Sequence, residues 1–153
     1  MNTLFSYLVF GLAFNSSVLL SDAEDIGVDA KQFTYPANVE PDKVELQIVF
    51  VNFDVESQKN MNMSDTELVS YVKSTFLGTS KAAESTKERQ IMDIKSAGEI
   101  LKTKIPVASN IEIHIITLQN NTKIAIAFKS VSTINSEILE NVISEITSSL
   151  KLE

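Results

Sequence analysis

IEIHIITLQNNTKIAIAFKS, residues 111–130, alternates large aliphatic side chains with other residues more regularly than any other part of the chain. Two strands read from it, with Asn120 and Asn121 between them, and asparagine tolerates the positive φ that a two-residue type I′ turn demands. Such a turn predicts Ile113 opposite Phe128, Ile115 opposite Ile126, Thr117 opposite Ile124 and Gln119 opposite Thr122, all on one side. The other side then carries Glu112 opposite Lys129, His114 opposite Ala127, Ile116 opposite Ala125 and Leu118 opposite Lys123. Opposite charges and large-against-small pairs suit cross-strand neighbours. A slip of one position would mix the two faces, so everything inferred about cover depends on this register.

The second face is half apolar, and its alanines would let a helix approach closely. Cover by a helix is expected; the alternative leaves Ile116, Leu118, Ala125 and Ala127, with His114 beside them, as an open binding patch for a partner. Two helices are available. SDTELVSYVKSTFLG opens with the S-x-x-E capping box of Ser64 and Glu67 and ends at Gly78, with Leu68, Val69, Val72 and Phe76 on one stripe. NSEILENVISEITSSLKLE has Asn135 as its cap, Glu137 and Glu140 near its positive end, and Ile138, Leu139, Val142, Ile143, Ile146 and Leu150 on one arc. VELQIVFVNFDV, residues 44–55, is apolar on both parities through its middle and reads as a central strand needing cover on both faces. QFTYP reads as a short strand stopped by Pro36. TSKAAESTKER, residues 79–89, reads as a mobile surface loop, and QIMDIKSAGEILKTKIP as two short strands joined at Ala97 and Gly98 and ended by Pro106. The expected architecture is α+β: an antiparallel sheet of about five or six strands with a helix on each face.

The chain has 153 residues, within the range of one domain, and its 44% hydrophobic and 22% charged composition suits a folded core. Absence of cysteine excludes disulfides, thiolate metal sites, thiol nucleophiles and the lipid-bearing cysteine of bacterial lipoproteins. A formal charge of −7 with no basic cluster argues against nucleic acid or an anionic membrane surface as the main partner. LFSYLVFGLAF, residues 4–14, is an apolar run followed by NSSVLLSDA, whose Ser21 and Ala23 are spaced as a signal-peptidase site requires. Residues 1–23 therefore read as a cleaved signal, despite an amino terminus without Lys or Arg, and residues 24–153 as a single domain. The competing reading is a retained anchor, for which residues 4–20 are short and interrupted by Asn15, Ser16 and Ser17. The segment EDIGVDAKQ that follows reads as a loose lead-in whose acids lack EF-hand spacing.

The chemical inventory is sparse. His114 is the one histidine, so a zinc site or catalytic triad would have to be built around carboxylates; an idle edge-of-sheet histidine is the simpler reading. Gly27, Gly78 and Gly98 are isolated, so no phosphate-cradling loop is present in the segment after residue 23. Asn62-Met63-Ser64 and Asn120-Asn121-Thr122 match the N-glycosylation pattern, which matters only in a eukaryotic secretory route. No catalytic residue, metal ligand set or cofactor is expected.

The order of QFTYP, VELQIVFVNFDV, SDTELVSYVKSTFL, a meander ending in IEIHIITLQNNTKIAIAFKS and a terminal helix closing with ISEITSSLKL resembles the PsbP/DcrB-like group of small secreted or lumenal domains, over about residues 30–152. The resemblance implies helices on both sides of an antiparallel sheet and non-enzymatic work as an accessory subunit or client-holding chaperone. The chain departs from the group by lacking a lipobox and any tryptophan, and no functional residue is carried over. The expectation is an exported, secreted or periplasmic or lumenal protein-binding domain whose partner is another protein, without membrane insertion once the signal is removed. The alternatives are an inhibitor or immunity-type protein neutralising a secreted enzyme, and a small hydrolase working with carboxylates.

Overall fold

The computed structural model describes residues 4–62, 64–92, 94–102 and 109–153. Its strands are β1 (Phe5–Val9), β2 (Leu12–Ser16), β3 (Glu24–Gly27), β4 (Ala30–Tyr35), β5 (Leu46–Phe53), β6 (Ser85–Ile91), β7 (Ile94–Lys102), β8 (Ser109–Thr117), β9 (Lys123–Val131) and β10 (Lys151–Leu152). Its helices are α1 (Val55–Asn60), α2 (Asp65–Phe76) and α3 (Ser136–Ser149). Seven strands form an antiparallel sheet in the order β3-β4-β5-β9-β8-β7-β6, and the other three form a small sheet in the order β1-β2-β10. The α+β class and the large antiparallel sheet are as expected, with more strands than the five or six anticipated.

The hairpin register differs from the expected one by a single position. β8 and β9 pair Ile113 with Ala127, Ile115 with Ala125 and Thr117 with Lys123. The turn explains the shift. The Leu118 N–H donates to the Thr122 carbonyl at 2.8 Å, the Asn121 N–H donates back to the Leu118 carbonyl at 2.9 Å, and Asn121 takes φ +67°. The loop therefore holds three residues, Gln119 to Asn121, with its last residue in the left-handed region, a common hairpin alternative to the two-residue turn. Asn120 Oδ1 accepts from the Thr122 N–H at 3.0 Å and closes it.

This shift sends the two arms to opposite faces. Ile111, Ile113 and Ile115 of β8 share one face with Ala125 and Ala127 of β9 and with Val49, Val51 and Phe53 of β5. Ile124, Ile126 and Phe128 of β9 share the other with Ile48 and Phe50, and there their β8 neighbours are Ile116, His114 and Glu112. Both faces are thereby apolar over the middle of the sheet, which suits burial on both sides.

On the first face the alanines give α2 room, and it packs Leu68, Val69 and Val72 against the sheet. Ser64 Oγ accepts from the Glu67 N–H at 3.1 Å, and Gly78 takes φ +67° just past the helix, so both expected punctuation marks are used. The second face is covered by a mixed layer. α3 contributes Val142, Ile143 and Ile146, and the small sheet contributes Val9, Leu12 and Phe14, followed by Leu20. The Phe14 ring lies 5.2 Å from that of Phe33 and 5.4 Å from that of Phe50. The Asn15 N–H donates to Ser149 Oγ at 2.8 Å, tying β2 to the end of α3. The expected cover of one helix per face is thus not the arrangement found, because α3 alone is too narrow for a seven-stranded sheet and the hairpin of β1 and β2 fills the remainder. Residues assigned above to a signal are core residues of this layer, and cleavage after Ala23 would take Leu12, Phe14 and Leu20 out of it.

Three further expectations change. The segment expected to be a loop over residues 79–89 contains the start of edge strand β6, and the join expected at Ala97 and Gly98 lies instead after Ile91, where Met92 takes φ +52°. Gly98 sits inside β7, opposite His114. The expected lead-in after residue 23 pairs as β3 with β4. The strand end expected at Pro106 and the middle residue of the Asn62-Met63-Ser64 pattern lie outside the described residues.

Candidate functional site

The register shift brings Glu112 and His114 under the α3 layer, where charged side chains would be costly alone. They are not alone. Arg89 reaches across from β6, with 9% of its surface exposed, and grips Glu112, which is 8% exposed, through Nε and through Nη2 at 3.0 Å to Oε1. The same guanidinium donates from Nη1 to Glu140 Oε1 at 3.0 Å and from Nη2 to Glu140 Oε2 at 3.1 Å. Lys87 Nζ adds bonds of 3.2 Å to both Glu140 oxygens, and Ser144 Oγ donates to Oε1 at 3.3 Å. Strand β6, strand β8 and helix α3 are therefore joined by one guanidinium with a carboxylate on either side.

His114 is fully buried. Its Nε2 donates to Glu112 Oε2 across 2.6 Å, and its Nδ1 has no hydrogen-bond partner among the described residues. The ring lies over Gly98: a Cβ there would collide with Nδ1 and fall 2.6 Å from the Ile113 carbonyl oxygen, closer than side-chain carbons come to other atoms. Only a residue without a side chain lets β7 pass beneath this ring.

Burial works to raise the Glu112 carboxyl, but hydrogen bonds from His114 and Arg89, with their charges, outweigh it and hold it down at about 2. Burial likewise opposes the Arg89 charge, and the bonds to Glu112 and Glu140 overcome it, raising the guanidinium above its ordinary value. The Arg89 hydrogen bonds hold Glu140 below the usual carboxylate range against a smaller burial penalty, with Lys87 assisting. A carboxylate kept ionised this firmly is a weak proton acceptor, so the cluster's geometry suits holding elements together better than moving protons. Among the described residues no group of three or more His, Asp or Glu side chains is placed to hold a metal ion.

Beside the cluster a cavity of about 250 Å³ opens between the first turns of α3 and the β7-β8-β9 surface. Its apolar walls include Ile100, Phe128, Leu139 and Ile143, and both Glu112 and Glu140 line it.

The five residues singled out from the sequence are separated by the fold. His114 and Ile116 are buried on the α3 face, and Leu118 packs partly against that cluster. Ala125 and Ala127 are buried on the opposite face under α2. Sequence reasoning missed Arg89 and Glu140. The available signal was the pair of polar residues, Glu112 and His114, at alternate positions of a strand otherwise rich in isoleucine, which asks for a buried counter-charge from a neighbouring element.

The fold these elements define is a seven-stranded antiparallel sheet with a helix layer on one side and a mixed helix-and-strand layer on the other. A solved protein from Bacteroides thetaiotaomicron is similar to it at TM-score 0.57 and 13% identity, aligning with 100% of this chain and 49% of its own. This chain thus spans about half the length of that protein. LpqN, described as involved in cell envelope biogenesis of Mycobacterium tuberculosis, is similar at TM-score 0.50 and 8% identity, over 98% of this chain and 83% of its own. At such identities the likeness is one of fold. No family model matches the chain, and no curated protein does.

Proposed function

We propose that the chain is an exported, non-enzymatic protein-binding or accessory domain that keeps residues 4–23 as part of its fold, in place of the cleavage expected from the sequence. The observation that carries this reading is the contrast between its polar interior and its apolar surface. Buried Arg89 and Glu112 are closed on one another and on Glu140, and buried Lys73 on Glu99, while large apolar side chains of the amino-terminal segment face solvent: Leu8 of β1 is 58% exposed, and Leu4 and Leu19 are about as open. Exposed leucines on and beside an edge strand supply what a protein partner would cover. The fold likeness to LpqN, a protein described as involved in cell envelope biogenesis, is in keeping with work connected to the envelope. Among the described residues no helix is long and apolar enough to cross a membrane.

The test is capture of partners from the exported fraction by the wild-type chain and by Leu4→Glu/Leu8→Glu, with folding checked by circular dichroism. A specific partner retained by the first and lost by the folded double variant supports the reading. Equal capture by both removes it, as does recovery of the protein solely from the cytosolic fraction.

A further inference from the structure

We propose that β1 is the pairing edge of a homodimer, in which a second copy of this chain adds its own β1 antiparallel about Ser6 and joins the two small sheets into one. Among the described residues the sheets end on β1, β10, β3 and β6. Edge strands are commonly blunted against such pairing by shortness, charge or a bulge. Three of these are. β10 is 2 residues long, β3 carries Glu24, Asp25 and a bulge, and β6 carries Lys87, Glu88 and Arg89 in succession. The central antiparallel self-pairings of β6 would set Lys87 against itself, Lys87 against Arg89, or Arg89 against itself, each a like-charge contact. β1 has no such guard: LFSYLVF, residues 4–10, contains neither charge nor proline.

The turn fixes which backbone groups of β1 face outward. Phe10 at φ +49° and Gly11 at φ +75° form the loop between paired Val9 and Leu12. Positive φ at both positions makes this a type I′ turn, which its flanking residues close by exchanging both backbone bonds. Alternation then gives Val9, Tyr7 and Phe5 to β2 and points the N–H and C=O groups of Leu8, Ser6 and Leu4 at the free edge. What selects a second copy as the occupant is the symmetry of the segment: Leu4-Phe5-Ser6-Tyr7-Leu8 reads nearly the same in both directions about Ser6. A twofold contact requires a surface complementary to itself. With the dyad at Ser6, that serine pairs with its own counterpart, Leu4 with Leu8 on either side, and Phe5 with Tyr7 between them. Every outward backbone group from Leu4 to Leu8 then finds a partner. Leu4 and Leu8, 53% and 58% exposed, would each gain a leucine neighbour on the outer face. Ser6 Oγ already donates to Asn15 Oδ1 at 3.0 Å, so no unpaired hydroxyl is brought to the axis.

The dimer rests on the reading above in that residues 4–23 stay in the fold, and it names a partner for the surface of Leu4 and Leu8. Sedimentation equilibrium of the purified full chain tests it, so a monomer overturns the dimer alone, while capture of a different protein is decided separately. The mass should rise with concentration to twice that of the chain, and added salt should tighten the dimer severalfold, because each copy carries a formal charge of −7. Ser6→Pro should weaken it about tenfold or more: the lost N–H points away from β2, so the hairpin tolerates proline there while the dyad does not. Leu152→Ser, at a leucine 57% exposed on β10, should leave it unchanged. Cross-linking reads the register, since the chain has no cysteine of its own. Facing residues of a bonded pair lie about 5.5 Å apart between Cα atoms, within disulfide reach. Ser6→Cys should therefore link to itself under copper phenanthroline, whereas Leu4→Cys and Leu8→Cys should link when mixed and not alone, their like positions being roughly 14 Å apart. A chain monomeric up to its solubility limit, a dimer unweakened in folded Ser6→Pro, or Leu4→Cys linking to itself as readily as Ser6→Cys would each overturn the proposal. Should Ser6→Pro not fold, the cysteine variants decide.

Discussion

Replacing Glu112 with glutamine should remove most of the acid sensitivity of the fold. The carboxyl falls from an ordinary value of 4.5 to about 2 on folding, through its bonds to His114 and Arg89. Every tenfold weakening of proton binding corresponds to about 1.4 kcal/mol, so about 3 kcal/mol of stability is linked to this one ionisation, shared among the three partners. Because the folded carboxyl binds its proton less tightly than the unfolded one, that contribution is fully present above pH 4.5. It is lost as pH falls from 4.5 towards 2, with about 2 kcal/mol gone by pH 3. Glu140 is lowered in the same direction, but half its side chain is exposed, so solvent screening keeps its share below about 1 kcal/mol. Urea unfolding followed by circular dichroism at pH 7, 5, 4 and 3 measures this directly. Glu112→Gln should be about 3 kcal/mol less stable than wild type at pH 7, since Arg89 loses a buried counter-charge, and within about 1 kcal/mol of it at pH 3. Arg89→Met/Glu112→Gln should recover part of the loss at pH 7, because no buried charge is then left facing a neutral partner. A Glu112→Gln protein with the wild-type slope between pH 5 and 3 would show that this carboxylate is not held ionised by the cluster.

Gly98→Ala should cost about 3 kcal/mol in chemical denaturation, because the added carbon meets His114 Nδ1 and lies 2.6 Å from the Ile113 carbonyl oxygen. Adding His114→Ala should not restore stability, since the carbonyl contact belongs to the backbone of β8. Phe14→Ala, which empties a fully buried ring site between Phe33 and Phe50, should lower stability by about 3–5 kcal/mol in the same assay. A chain beginning at residue 24 should bind the dye ANS strongly and melt well below the full chain, with mass spectrometry of the native amino terminus showing which form occurs. Asn121→Val should destabilise by about 1–2 kcal/mol in thermal unfolding through its φ of +67°, whereas Asn121→Gly should be neutral or stabilising.

What could be read from the sequence was whatever local periodicity encodes. α3 was legible because Asn135 precedes a helical recurrence of Val142, Ile143 and Ile146, and Asn135 Oδ1 indeed accepts from the Glu137 and Ile138 N–H groups. Ile138, expected on the buried arc, is 36% exposed, since that arc is narrower than its hydrophobic residues suggest. β5 was legible as an inner strand because both of its parities are apolar. The register of β8 and β9 was not, because Asn120-Asn121 is compatible with either a two-residue or a three-residue loop, and the choice is settled by what covers each face. Segregating the isoleucines with Phe128 would have left the α2 face short of hydrocarbon; the observed register distributes them. β6 was invisible to pattern reasoning because its inward positions include a partly exposed Lys87 and a buried Arg89, and the burial of Arg89 makes sense only once Glu112 and Glu140 are across from it. The same limit hid the packing of residues 4–20: hydropathy measures how much they avoid water and says nothing of whether they find shelter in lipid or against Phe33 and Phe50.

The bond from Asn15 to Ser149 spans 134 residues of chain. At about 5–20 residues per second, ribosomal synthesis leaves β2 without α3 for about 7 to 27 s. Throughout that interval a nascent segment with the hydropathy of a targeting sequence stays unsheltered, and secretion factors and the unfinished domain would compete for the same side chains. Elongation speed and the abundance of such factors, as much as thermodynamics, would then govern which fate a newly made copy meets.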